Sequence, residues 1–146
     1  MEICSIGASG TTAERFFTRL KDASVTAVID TRLKANSQLA GFARGDSLAY
    51  FVPELLHIAY VYEPMLAPTA PLLKAYRDGS IPWPTYEREY LRLIVDRGVP
   101  ESLNVSKWGE RPVLLCSEPE PDFCHRRLAA DCIVKGLALT GAVKHL

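Results

Sequence analysis

The residues richest in chemistry are Cys124, His125 and Arg126, which follow one another where a polar loop gives way to a helical pattern. A cysteine at a helix N-terminus, beside an imidazole and a guanidinium, can have a lowered pKa and act as a nucleophile. Glu118, Glu120 and Asp122, just upstream, work in the opposite sense and favour the neutral thiol. His125 titrates near neutral pH, and Arg126 offers a planar fork to a carboxylate or phosphate. The N–H groups of a helix start add to the same preference for an anion. Asp30 and Arg32 form a second polar pair at the end of another apolar stretch. An enzyme built on these residues would use Glu118, Cys124 and His125 for nucleophilic or proton-transfer steps. Asp30, Arg32 and Arg126 would then hold an anionic ligand. A structural network stands beside that reading, with Arg126 paired to Asp30 or Glu118 and holding two crossover units together.

Metal chemistry is weighed separately. Cys116, Cys124, His125 and Cys132 carry donors suited to zinc, but their intervals contain no close Cys-two-residues-Cys pair. Cys132 falls on an apolar helical stripe, and Cys116 ends an apolar run, where a cysteine behaves as a small buried residue. Asp30, Glu118 and Asp122 are the carboxylates a harder ion would need. The expectation is no metal and no cofactor. A cysteine-phosphatase loop is also absent, because Asp122 stands where the arginine would be.

The elements that must position these groups follow from periodicity. Val113 to Cys116 is a short apolar run without alternation, the pattern of a strand buried on both faces. After the loop, Leu128, Ala129, Cys132, Ile133 and Leu137 recur at helical spacing, with Asp122 as the expected N-cap. Strands are also predicted over 2–7, 25–30, 58–62 and 142–146. Helices are predicted after Thr11, with Glu14 completing a capping box, after Asp46 or Ser47, over Thr69 to Tyr76 and over Thr85 to Arg97. Pro53 is expected near a first turn or at a kink. Residues 33–46, carrying Lys34, Asn36, Gln38, Phe42 and Arg44, form a long irregular connection: either a lid or unrecognised structure. Residues 99–110 read as a surface connection. Strands alternating with helices imply an α/β fold, one three-layer domain over 1–146 with a mainly parallel, Rossmann-like sheet. The glycines of GASGTT do not match a dinucleotide or Walker fingerprint.

Composition bounds the partners. The 146 residues hold 17 basic and 17 acidic side chains, so no global field advertises nucleic acid or a membrane. No apolar run is long enough to span a bilayer, and the first residues lack a secretion signal. The four cysteines are expected as thiols in a cytoplasmic protein. The partner expected is an anionic small molecule or nucleotide, with nucleic acid left open, no membrane, and oligomeric state undetermined. Three classes remain: a hydrolase or transferase, a non-catalytic nucleotide or nucleic-acid binding module, and a structural or interaction protein.

At these motifs the chain resembles the family known as domain of unknown function 488. The stretch VLLCSEPEPDFCHRRLAADCIVKG carries the most specific match, with Cys116, Glu118, Cys124, His125 and Arg126 in the family positions. SIGASGTTAERFFTRL and VIDTR match more loosely, as does the segment containing Phe42, Leu48, Leu56, Tyr60 and Pro64. Ala8 departs from the family's usual histidine, and MLAPTA lacks its usual Leu-Gly-Gly. The resemblance implies the fold and carries no substrate with it.

Overall fold

The computed structural model describes residues 1–37 and 41–146, so Gln38 of the long connection lies outside the described residues. A single parallel sheet organises the chain. Its strands are β1 (Cys4–Gly7), β2 (Ala27–Asp30), β3 (Ala59–Tyr62), β4 (Pro112–Cys116) and β5 (Lys144–His145), in the order β3-β2-β4-β1-β5. Helices α1 (Ala13–Asp22), α2 (Gly45–Leu56), α3 (Ala70–Arg77), α4 (Trp83–Asp96) and α5 (His125–Gly136) supply the crossovers. The α/β alternation read from the sequence is therefore the observed architecture, with a parallel sheet throughout.

The three inner strands lack polar alternation because each of their faces meets a helical layer. Val28, Val113, Leu115 and Ile6 point into a core completed by Phe16 and Leu20 of α1 and by Leu48 and Val52 of α2. Ile29 and Leu114 point the other way, against Tyr86, Tyr90 and Ile94 of α4 and Leu128 and Ile133 of α5. Burial of one such aliphatic side chain is worth roughly 1.5–3 kcal/mol, so a polar residue at any of these positions would offset much of a domain's net stability. β3 is an edge strand, as expected, but the Ile58, Tyr60, Tyr62 alternation does not hold: Ile58 precedes the strand, Tyr60 and Val61 are half-buried, and Tyr62 is exposed.

Several boundaries differ from expectation. Thr12, not Thr11, caps α1, its hydroxyl accepting from the Arg15 N–H at 3.2 Å. Cys124 takes the N-cap position of α5 without a side-chain cap bond, displacing Asp122 from that role. α2 starts at Gly45, before Asp46 and Ser47, and Pro53 lies inside it on the exposed side. α4 starts at Trp83, with Pro84 in its first turn, where the missing N–H costs nothing. The long connection contains short 3-10 turns at Ala35–Ser37 and Gly41–Ala43. Residues 99–110 are more than surface chain, since Val99, Leu103 and Trp108 are buried in the core. Isolated anchors of that kind carry no periodicity by which to find them.

One glycine ties the fold to the site. Gly7, at the carboxyl end of β1, lies so close to the Glu118 carbonyl and to Pro119 Cα (2.8 Å from an added Cβ) that no side chain fits. Both obstacles are backbone, so neither can swing aside. We expect Gly7→Ala to lower stability by about 1–3 kcal/mol in urea unfolding. Gly141→Ala, which meets nothing within 4 Å, should leave the midpoint essentially unmoved.

Candidate functional site

In the sheet order, β2 and β4 are neighbours whose onward connections leave on opposite faces. The path after β2 leads to α2, on the α1 side, while β4 is followed by α5 on the other. That divergence opens a crevice beyond the strands' carboxyl ends, the usual ligand position in such sheets. Thr31 and Arg32 leave β2 there, and Cys116 ends β4.

The β2 side is held by a buried ion pair. Arg32 meets Asp30 through Nε at 2.8 Å and a terminal nitrogen at 2.6 Å, and it donates to the Ala43 carbonyl at 2.7 Å. Asp30 also accepts from the Tyr60 hydroxyl at 2.6 Å and the Arg32 main-chain N–H at 3.1 Å. Burial works against the Arg32 charge, but the hydrogen bonds to Asp30 outweigh it and raise the pKa. Burial and the bond to Asp30 push the Tyr60 hydroxyl up. Thr31 joins the strands: its N–H and hydroxyl both donate to the Leu115 carbonyl, at 3.0 and 2.9 Å.

The β4 side carries sulfur and imidazole. His125 Nε2 lies 2.9 Å from the Thr31 carbonyl and 3.2 Å from its hydroxyl. A carbonyl only accepts, so Nε2 carries a proton. Nδ1 faces the Cys116 sulfur at 3.9 Å. Cys116, Cys124 and His125 are all buried, and their donor atoms lie within 4.8 Å of one another. The Cys124 thiol hydrogen-bonds to Cys116 and, with the His125 charge and the Glu118 N–H, holds the Cys116 pKa well below the usual thiol range despite burial. That same bond to Cys116, together with burial, pushes the Cys124 thiol up. For His125 burial favours the neutral ring, but the adjacent Cys116 thiolate and the Thr31 carbonyl outweigh it and raise the pKa.

Arg126 is directed inward. One terminal nitrogen donates to the Glu118 carbonyl and, at 3.5 Å, to Cys124 Sγ, while the other donates to the Pro119 carbonyl at 3.0 Å. Nε reaches Ser5 Oγ at 3.4 Å. The side chain is 1% exposed, and it fastens the loop between β4 and α5 to the sheet.

These elements enclose a cleft of about 560 Å³. Cys116, Cys124 and His125 lie at its floor, with Tyr86 and Phe123 in its walls. Arg32, Lys34, Lys74 and Arg77 contribute cationic side chains and Glu118 the carboxylate. Of the residues singled out by sequence, Arg32, Glu118, Cys124 and His125 thus share one cleft. Asp30 stands behind it, fully buried against Arg32 and Tyr60, and Arg126 bonds main chain instead of facing it. Arg44 pairs with Asp46 elsewhere, and Cys132 points its sulfur toward the Val99 carbonyl. Sequence reasoning placed Cys116 at a strand's carboxyl end and among the zinc donors but favoured a packing role, whereas the structure sets it in the cleft beside Cys124 and His125. Lys74, Arg77 and Tyr86 had none, because α3 and α4 read as amphipathic helices and nothing in their spacing aims them at β4.

The Arg126 geometry yields a direct prediction. Lysine keeps the charge but cannot reach two carbonyls with one planar fork. Arg126→Lys should destabilise the chain by about 1.5–3 kcal/mol, the worth of hydrogen bonds to a charged group, and Arg126→Ala at least as much. Chemical unfolding of both variants checks this, and an unchanged midpoint would remove the fork from its positioning role.

No curated protein and no solved structure matches the chain significantly. The family model described as domain of unknown function DUF488 matches residues 12–133, the span holding β2, β3, β4 and the whole cleft. The chain belongs to the DUF488 family.

Proposed function

We propose that the cleft binds a small organic anion, with a nucleotide as the class its walls suit, and that the chain is a hydrolase acting on that ligand. The observation that carries the reading is the charge of the lining. Arg32, Lys34, Lys74 and Arg77 face a cleft to which, among the described residues, Glu118 alone brings a carboxylate. Arg32 is paired with Asp30 and Lys74 with Asp78, whereas Lys34 and Arg77 form no salt bridge with a described carboxylate. Two exposed cations at the mouth are suited to a phosphate or carboxylate. Phe123 is 63% exposed and sits edge-on to Trp83, which leaves a ring face for a base or another flat apolar group. The volume, about 560 Å³, is in the range of small-ligand pockets.

Hydrolysis fits because the anion would rest above buried sulfur and imidazole groups held on rigid elements. His125 is the proton carrier in this reading, Glu118 the carboxylate nearest the solvent side, and Cys116 joins Cys124 in the reacting group. Asp30 acts through Arg32 and Arg126 through the loop, both as positioning residues. The cytoplasm is the compartment that suits the reading, since its reducing poise keeps neighbouring Cys116 and Cys124 as thiols. No described helix is long and apolar enough to cross a membrane.

Calorimetric titration with nucleoside monophosphates, the matching nucleosides and inorganic phosphate tests this. The phosphorylated compounds should bind more tightly than the nucleosides, and less tightly as salt rises. Arg77→Ala and Lys34→Ala should each weaken binding roughly fivefold, as expected for an exposed ion pair worth about 1 kcal/mol. Affinities that neither substitution moves, or no saturable binding across the panel, would reject the cleft as an anion site.

A further inference from the structure

We propose that Cys116, Cys124 and His125 form a site for one thiophilic divalent cation of the zinc type, with its fourth coordination position open to the cleft. The three donor atoms already lie within 4.8 Å of one another, near the spacing that ligands of one tetrahedral ion adopt. Two sulfurs and an imidazole are a donor set that zinc favours, and three protein ligands with an open position distinguish reactive zinc sites from closed structural ones.

The surroundings support ligation as well as proximity. Because Nε2 of His125 must carry the proton toward the Thr31 carbonyl at 2.9 Å, the neutral ring presents its Nδ1 lone pair to the sulfurs. A ligating histidine is commonly fixed in this way by a bond from its other nitrogen. Arg126 donates to Cys124 Sγ at 3.5 Å, the contact a thiolate there would use. Cys116 closes β4, and Cys124 and His125 open α5, so the donors ride on regular elements joined by the Arg126 fork. All three residues also line the cleft, which leaves one side of the cluster facing the ligand space. Cys132 takes no part, its sulfur being turned to the Val99 carbonyl.

The balance of charge is simple. The cation takes two thiolates and one neutral imidazole, and the protons that these groups give up pass to solvent. Two thiolates cancel the divalent charge, so the buried floor acquires no net charge from the metal and its sulfurs. The inference rests on the anion-binding reading only for what the open position would meet. An anionic oxygen could bind there directly, or a water made acidic by the metal could serve the hydrolysis.

The test uses the full chain, reduced and stripped with a chelator, then titrated with cobalt(II) and afterwards with zinc. One equivalent of cobalt should give the strong visible bands of a tetrahedral ion and a thiolate charge-transfer band in the near ultraviolet, both abolished by zinc. Cys116→Ser and Cys124→Ser should each weaken cobalt affinity by at least about a hundredfold, since even outer-shell changes cost about 10- to 100-fold. His125→Gln should weaken it too, and Cys132→Ser should match the unsubstituted chain. Circular dichroism of each stripped variant shows whether it folds, and if a ligand variant does not, the spectrum of the unsubstituted chain still decides. Failure to take up cobalt, the weak bands of an octahedral ion, or equal losses in Cys132→Ser and Cys116→Ser would overturn the proposal. Arg77→Ala and Lys34→Ala should keep the cobalt spectrum whatever they do to nucleotide binding, so the metal site and the anion site can fail separately.

Discussion

A guanidinium cannot shed its charge on burial, so the protein must answer Arg126 with dipoles where it lies. No described carboxylate forms a salt bridge with it; its donors meet the carbonyls of Glu118 and Pro119, the Ser5 hydroxyl and the Cys124 sulfur. Those acceptors belong to β1, to the loop after β4 and to the start of α5, so one cation sets the distance among three elements. Gly7 makes the arrangement sterically possible by leaving room for the same loop against the end of β1. Without the fork, the two main-chain carbonyls would lose their buried donors, and Cys124 would lose one of the contacts that hold it at the start of α5.

The Asp30–Arg32 pair solves a related problem on the other side. Here the buried cation has a buried anion, and the remaining lone pairs and protons are taken by Tyr60, by the Arg32 main chain and by the Ala43 carbonyl. A pair satisfied so fully acts as a rigid brace joining β2, β3 and the connection after β2. The cleft's exposed cations, Lys34 and Arg77, form no such pair with a described carboxylate. Buried charge therefore fixes the frame, and exposed charge faces the ligand space.

The fold was legible because burial on both faces leaves a plain mark: four apolar runs, separated by segments with helical spacing, allow few arrangements other than a parallel sheet. That Cys124, His125 and Glu118 would meet at one edge of the sheet was legible because a loop after a buried strand, followed by a helix start, points to the carboxyl edge of that sheet. Chemistry within the site was harder to read. Whether Arg126 faces a ligand or a carbonyl depends on how the loop folds back over Gly7, a distance that no residue spacing encodes. Cys116 looked like packing because strand residues are usually packing, yet the last residue of a strand has one side in the core and the other at the crevice. The buried anchors Val99, Leu103 and Trp108 were missed for the opposite reason, since they lie in a segment with no period at all.

Cys116 and Cys124 show how far position can separate two identical side chains. Cys116 receives hydrogen bonds from the Cys124 thiol and the Glu118 N–H and lies beside the His125 charge, so its thiolate is favoured in spite of burial. Cys124 supplies one of those bonds and so keeps its proton, even with Arg126 beside it. The same proton thus lowers one pKa and raises the other, and the two sulfurs lie with His125 Nδ1 in one cluster whose donor atoms are within 4.8 Å of one another. His125 Nδ1 faces the Cys116 sulfur, its orientation fixed from behind by the Thr31 carbonyl. A convergence of two sulfurs and a nitrogen, in a wall that also opens to a cationic cleft, is more than packing demands: a core cysteine could be replaced by alanine or valine with little loss of shape.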